Sequence, residues 1–107
     1  MSWLGTWRNQ YGSTVTITGE AGGRIEGSFR TAIESSPFFG SEVSIAGAHS
    51  GPAITFGCAA DGDANVVVSY TGKLQDDRME TLWLVADGDQ HWWKSVVTNH
   101  DTFERVS

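Results

Sequence analysis

Apolar and polar positions alternate with a period of two along most of the chain. That period marks extended strands with one buried face. In Ser13–Thr18, Val15 and Ile17 face opposite to Thr14, Thr16 and Thr18. In Arg24–Ile33, Ile25, Gly27, Phe29, Thr31 and Ile33 share one face, and Arg24, Glu26, Ser28 and Arg30 share the solvent face. In Val66–Leu74, Val66, Val68, Tyr70 and Leu74 oppose Ser69, Thr71 and Lys73. The runs "METLWLV" (79–85) and "HWWKSVVTN" (91–99) follow. Between the runs lie turn signals: "GEAGG" at 19–23, "ADGDAN" at 60–65, "QDDR" at 75–78 and "ADGDQ" at 86–90. Residues 34–50 are the least regular and predict a long loop and a weaker strand. No helical period emerges. About eight strands with short connections predict antiparallel neighbours. The expected fold is all-β: one domain over residues 1–107, an eight-stranded antiparallel up-and-down β-barrel. A barrel of that size holds one small ligand.

One stretch departs from plain amphipathicity. "GTWRNQYGS", from Gly5, sets Trp7, Asn9, Tyr11 and Ser13 at alternate positions. A core face would be aliphatic and a solvent face charged. A face carrying an aromatic ring, an amide, a phenol and a hydroxyl suits the wall of a ligand pocket, where a few polar groups orient a mostly apolar guest.

Composition narrows the partners. A formal net charge of -6 disfavours phosphate binding, so nucleic acid is not expected. No apolar run approaches the roughly 18 residues of a membrane-spanning helix. The single cysteine, Cys58, cannot form an intrachain disulfide and reads as a buried strand thiol. The chain opens "MSWLG" without a basic, apolar leader, which fits either a cytoplasmic protein or a mature end. His100 and Asp101 are adjacent, so in a strand their side chains diverge, and no activated nucleophile accompanies them. "DGDAN" at 61–65 opens like a calcium loop but lacks the later Gly and Glu, and reads as a hairpin turn. His49 and His91 are placed in polar loops without a partner at metal-ligand spacing. Neither catalysis nor a metal is expected.

"GTWRNQYGS", "GSFRTAI", "TLWLV" and "WKSVVTNHDTF" together, in this order and over nearly the whole chain, resemble the avidin and streptavidin family of biotin-binding barrels. The resemblance implies biotin as ligand, no cofactor and a secreted homo-oligomer, tetramer or dimer. Biotin presents a ureido carbonyl, two ureido N–H groups, an apolar thioether ring and a carboxylate tail. By resemblance, Asn9 and Ser13 match donors to the ureido oxygen. Asp101 and Thr31 match acceptors for the N–H groups. Trp83 matches a ring wall, with Val85 beside it, and Tyr11 and Ile33 match apolar contacts. Ser35 and Ser36 fall where the family's loop meets the tail. Trp93 matches the tryptophan that reaches a neighbouring subunit's site.

The departures are specific. Phe29 stands where the family has a Tyr donor to the ureido oxygen, a loss of about 1 kcal/mol. Ala60 stands near a position that the family fills with a Trp, whose loss costs roughly 3–5 kcal/mol. Phe38, Phe39 and Trp92 are candidates to refill that gap. Val66 and Val68 replace hydroxyls, and Tyr70 replaces a Trp. The expectation is biotin binding weaker than in the best-known members. The alternative is a barrel of this fold holding a different small apolar ligand. A Ser–His–Asp hydrolase and a purely structural assembly module are the rivals from other classes.

Overall fold

The computed structural model describes residues 2–60, 62, 64–91 and 95–107. Eight strands follow one another: β1 (Gly5–Asn9), β2 (Thr14–Ala21), β3 (Arg24–Arg30), β4 (Val43–Ser50), β5 (Ala53–Ala59), β6 (Val66–Gln75), β7 (Arg78–Asp87) and β8 (Val96–Arg105). Each pairs antiparallel with the next, and β8 pairs with β1, so the sheet is a closed eight-stranded up-and-down barrel. The closing seam is short, with Trp7, Arg8 and Asn9 opposite Arg105, Glu104 and Phe103.

The period-two pattern becomes the inside and outside of the barrel. Val15, Ile17, Ile25, Phe29, Val43, Ile45, Ile54, Phe56, Val66, Val68, Tyr70, Leu74, Met79 and Phe103 are buried. Two inward glycines mark where backbone, not side chain, fills the waist. A Cβ at Gly27 would lie 1.9 Å from the Thr16 carbonyl oxygen, and one at Gly72 would lie 2.1 Å from that of Glu80. Strands coil most tightly where no side chain intervenes.

The two ends of the barrel differ. Turns 22–23, 51–52 and 76–77 close hairpins at the floor. Asp76 and Asp77 both have positive φ, 54° and 58°, the pairing that a two-residue turn matched to strand twist requires. The floor itself is Trp3 packed against Trp7, both fully buried, with ring centroids 5.9 Å apart and planes inclined at 42°. The Trp7 indole N–H donates to the Trp3 carbonyl at 3.0 Å. Arg105 lies over the Trp7 ring at 4.2 Å and donates to the carbonyls of Ser2 and Leu4. Glu20 accepts from the Trp3 backbone N–H and pairs with His49 at 3.0 Å. Connections 10–13 and 31–42 lie at the opposite end, the mouth, where β5 and β7 end and β6 and β8 begin.

Several boundaries differ from the sequence pattern. The alternation through Ser13 is not one strand: β1 stops at Asn9 and the chain turns there. β3 stops at Arg30, leaving Thr31 and Ile33 outside the ladder. β8 begins at Val96 and runs on to Arg105, so of "HWWKSVVTN" only residues 96–99 belong to it, and His91 and Ser95 precede it. Trp92, Trp93 and Lys94 lie outside the described residues. His49 sits in β4, not in a loop, and has Glu20 as its partner. His100 points outward to Glu80 at 2.8 Å while Asp101 is buried, so the adjacent pair does face opposite ways.

Candidate functional site

The residues that end β1 and begin β2 build the first wall of the site. Asn9 Oδ1 accepts the backbone N–H groups of Tyr11 and Ser13 at 3.0 and 2.9 Å. That fixes the amide: its oxygen is used by the turn, so its Nδ2 must face the other way. There it donates to Asp101 Oδ2 at 3.0 Å. Gly12, at φ 91°, lets the chain reverse between them. Ser13 then enters β2 fully buried, and its Oγ accepts the Ala32 N–H at 2.9 Å. Because Oγ is already an acceptor, its hydroxyl hydrogen is free to donate, with Thr31 Oγ1 3.3 Å away. Thr31 Oγ1 in turn accepts the Ile33 N–H at 3.2 Å. These short side-chain-to-backbone bonds carry the inward pattern past the end of β3.

Asp101 reaches the same place from β8. It is 3% exposed, and buried acceptors of this kind are kept by donors. Its Oδ2 has Asn9 and its Oδ1 has Gln10 Nε2 at 3.3 Å, while Thr81 Oγ1 holds its carbonyl at 2.9 Å. Tyr70 stacks on Phe56 with centroids 5.2 Å apart and meets Phe103 edge-on at 5.5 Å. Burial first, and then the Asp101 carboxylate beside it, pushes the Tyr70 phenol well above its ordinary range. The hydroxyl therefore stays a donor at all ordinary pH.

These groups converge on one cavity of about 170 Å³. Asn9, Tyr11, Ser13, Phe29, Thr31, Ile33, Val68, Tyr70, Trp83, Val85 and Asp101 all line it. The polar members, Asn9, Ser13, Thr31 and Asp101, are buried, whereas Tyr11 and Ile33 at the rim are exposed. The cavity thus offers a polar depth and an apolar upper wall. Ser35 does not line it; Ser36, Pro37 and Phe38 do. Phe38 is buried and meets Phe29 edge-on at 6.1 Å, whereas Phe39 is half exposed. Ala60 packs against the core rather than lining the cavity. Cys58 lies half-buried against the same core, and burial raises its thiol pKa to about 11. Trp93 lies outside the described residues.

Sequence reasoning named Ser35 and Ser36 together and offered Phe38 only as one of three fillers. The irregular stretch "ESSPFFG" has no period from which to choose, and Pro37 turns the chain where a residue count along a strand fails. Gln10 was missed because the alternation puts it on the outer face. Among the described residues no three His, Cys, Asp or Glu side chains gather as a metal site.

The model of the Avidin family matches residues 1–106. Among solved structures, the bradavidin2–biotin complex superposes with a TM-score of 0.88 at 23% identity, covering 100% of each chain. Apo shwanavidin gives 0.87 at 23% identity, covering 100% of this chain and 98% of that one. The short afifavidin–biotin complex gives 0.83 at 28% identity, covering 95% of this chain and 87% of that one. With the family matched from end to end and its barrel reproduced around this cavity, the chain belongs to the avidin family.

Proposed function

We propose that the protein binds biotin non-covalently in the barrel cavity, without chemistry and without a cofactor. The observation that carries this reading is the buried set of Asn9, Ser13, Thr31 and Asp101 beneath a wall of Trp83, Phe29, Tyr70, Val68 and Val85. Asn9 Nδ2 and the Ser13 hydroxyl donate to the ureido oxygen. Asp101 and Thr31 Oγ1 accept the ureido N–H groups. The aromatic and aliphatic wall takes the thioether ring. Family membership and the biotin complexes of bradavidin2 and afifavidin support the same ligand. An intact polar depth favours biotin over a wholly apolar guest.

The affinity is set below that of the best-known family members by three groups. Phe29 supplies a ring but no donor, Val68 supplies no hydroxyl, and Ala60 lies outside the cavity wall. Phe38, turned inward from the β3–β4 connection, restores part of the missing aromatic cover.

The protein acts as a homo-oligomer, dimer or tetramer. Val67, Leu82, Leu84 and Val96 stand outward and exposed on β6, β7 and β8. Leu82, Leu84 and Ala86 are successive outward positions of β7, and Ala86 lies opposite Val67 and Val96, while Ser69 and Thr98 flank Leu84. Apolar patches of this kind mark subunit contacts. Trp93 is proposed from its sequence context as the residue that reaches a neighbouring site.

Calorimetric titration of ligand-free protein with biotin tests the reading. One site per chain is the expected result. No heat at high micromolar biotin, from folded and empty protein, would remove it.

A further inference from the structure

We propose that Gln10, a residue outside the cavity, is the positioning residue for Asp101. The inference rests on the biotin reading above. The backbone ladder between β1 and β8 ends at Asn9 opposite Phe103, because the chain then turns toward Ser13. Continuation of that register would set residue 10 opposite Thr102, but the β1 backbone has left. The Gln10 side chain takes its place. Its Oε1 accepts the Thr102 N–H at 3.0 Å, and its Nε2 reaches the His100 carbonyl at 3.3 Å. These are the groups of β8 on either side of Asp101 in the chain. The same Nε2 lies 3.3 Å from Asp101 Oδ1. An amide nitrogen carries two hydrogens, so both acceptors can be served at once.

The result is a carboxylate held at both oxygens by consecutive residues. Asn9 holds Oδ2 from inside the barrel, and Gln10 holds Oδ1 from the seam. Each oxygen keeps lone-pair capacity for a ligand N–H. Gln10 does not line the cavity, so it acts on the ligand only through Asp101 and the seam. Hydrogen bonds to an ionised acceptor are among the stronger ones, and a carboxylate free to rotate would lose the fixed geometry that tight binding needs. The same amide closes the β1–β8 seam, so the position of Asp101 and the closure of the barrel are coupled.

The test is a biotin titration of four proteins: wild type, Gln10→Met, Asp101→Asn and the double variant. Gln10→Met keeps the length of the side chain and removes its hydrogen bonds. It is expected to weaken biotin roughly tenfold, the scale of one hydrogen bond to a charged group. In the Asp101→Asn background the same change is expected to cost no more than about twofold, because a positioning residue has nothing left to position. A second variant, Gln10→Glu, keeps an acceptor for the Thr102 N–H and loses the donor to Asp101. It is expected to hold the Thr102 amide protected from hydrogen exchange while still losing affinity, which guards against a folding defect. Equal losses with and without Asp101, or Gln10→Met binding within twofold of wild type, would overturn the inference. A wild-type protein that takes no biotin would overturn the biotin reading itself, and this inference with it.

Discussion

Asn9 shows how much one side chain does here. Its oxygen holds the turn and its nitrogen holds Asp101. Asn9→Ala is therefore expected to lower stability by about 1–3 kcal/mol, from two amides left without their acceptor, and to weaken biotin as well. Chemical denaturation and calorimetry measure the two effects separately. Phe29→Tyr returns a donor facing the cavity and is expected to tighten biotin about fivefold, the worth of about one neutral hydrogen bond. Phe38→Ala is expected to weaken it, since the Phe29–Phe38 contact and part of the wall go together. Cys58 gives a pH signature. Its thiol has a raised pKa in the folded chain, about 11 against an ordinary 9.0. The neutral thiol is thus favoured by folding, and its contribution is complete below pH 9 and declines as pH rises toward 11. Alkylation of the native protein is expected to reach half its maximal rate near pH 11, not near 9. Asn9, Tyr11 and Ser13 stood out in the sequence because a mixed aromatic and neutral-polar face fits neither core nor solvent, whereas Thr31 and Asp101 were named only through the family resemblance. Phe38 was not legible, because its placement depends on the path of a connection with no period.

Strands are legible when both the ladder and the side-chain alternation end together, and here they often do not. Asn9, Ser13 and Thr31 use their side chains to satisfy backbone N–H groups, so the inward pattern outruns β1 and β3 by two or more residues. Two of the three floor turns were marked in the sequence, where Gly22, Gly23, Asp76 and Asp77 take positive φ that their residue types tolerate or favour, and the turn at Gly51 was not. The strand least expected from sequence, β4, is a full eight residues, because it pairs on both sides. Its inward Gly47 hides it from any hydrophobic count. Gly72→Ala tests the close packing at the waist. The added methyl meets the Glu80 carbonyl, a backbone atom that moves only with its strand. A loss of about 1–3 kcal/mol is expected, read as a lower urea midpoint at unchanged slope.

At the scale of the whole barrel, exposed Val67, Leu82, Leu84 and Val96 form an apolar patch on β6–β8, bordered by the charged Lys73, Arg78, Glu80 and Glu104 on the same strands. A net charge of -6 opposes casual association, and the proposed homo-oligomer would cover the exposed leucines and valines. Leu82→Lys combined with Leu84→Glu is expected to yield a smaller species by sedimentation while the barrel stays folded, because both side chains point away from the core. Along the seam next to that face, Thr102 and then His100 hold the exposed Glu80 carboxyl below its usual range. The floor carries a different consequence. Ser2 and Leu4 are latched there by Arg105, and Thr6 and Val106 pair beside them, so both ends of the described chain leave from the side away from the cavity. A cargo fused at either end, or a bead coupled through one, would stand behind the protein. The mouth would face solvent in any such display, and a peptide of a few residues could link the two ends so that the chain is reopened elsewhere.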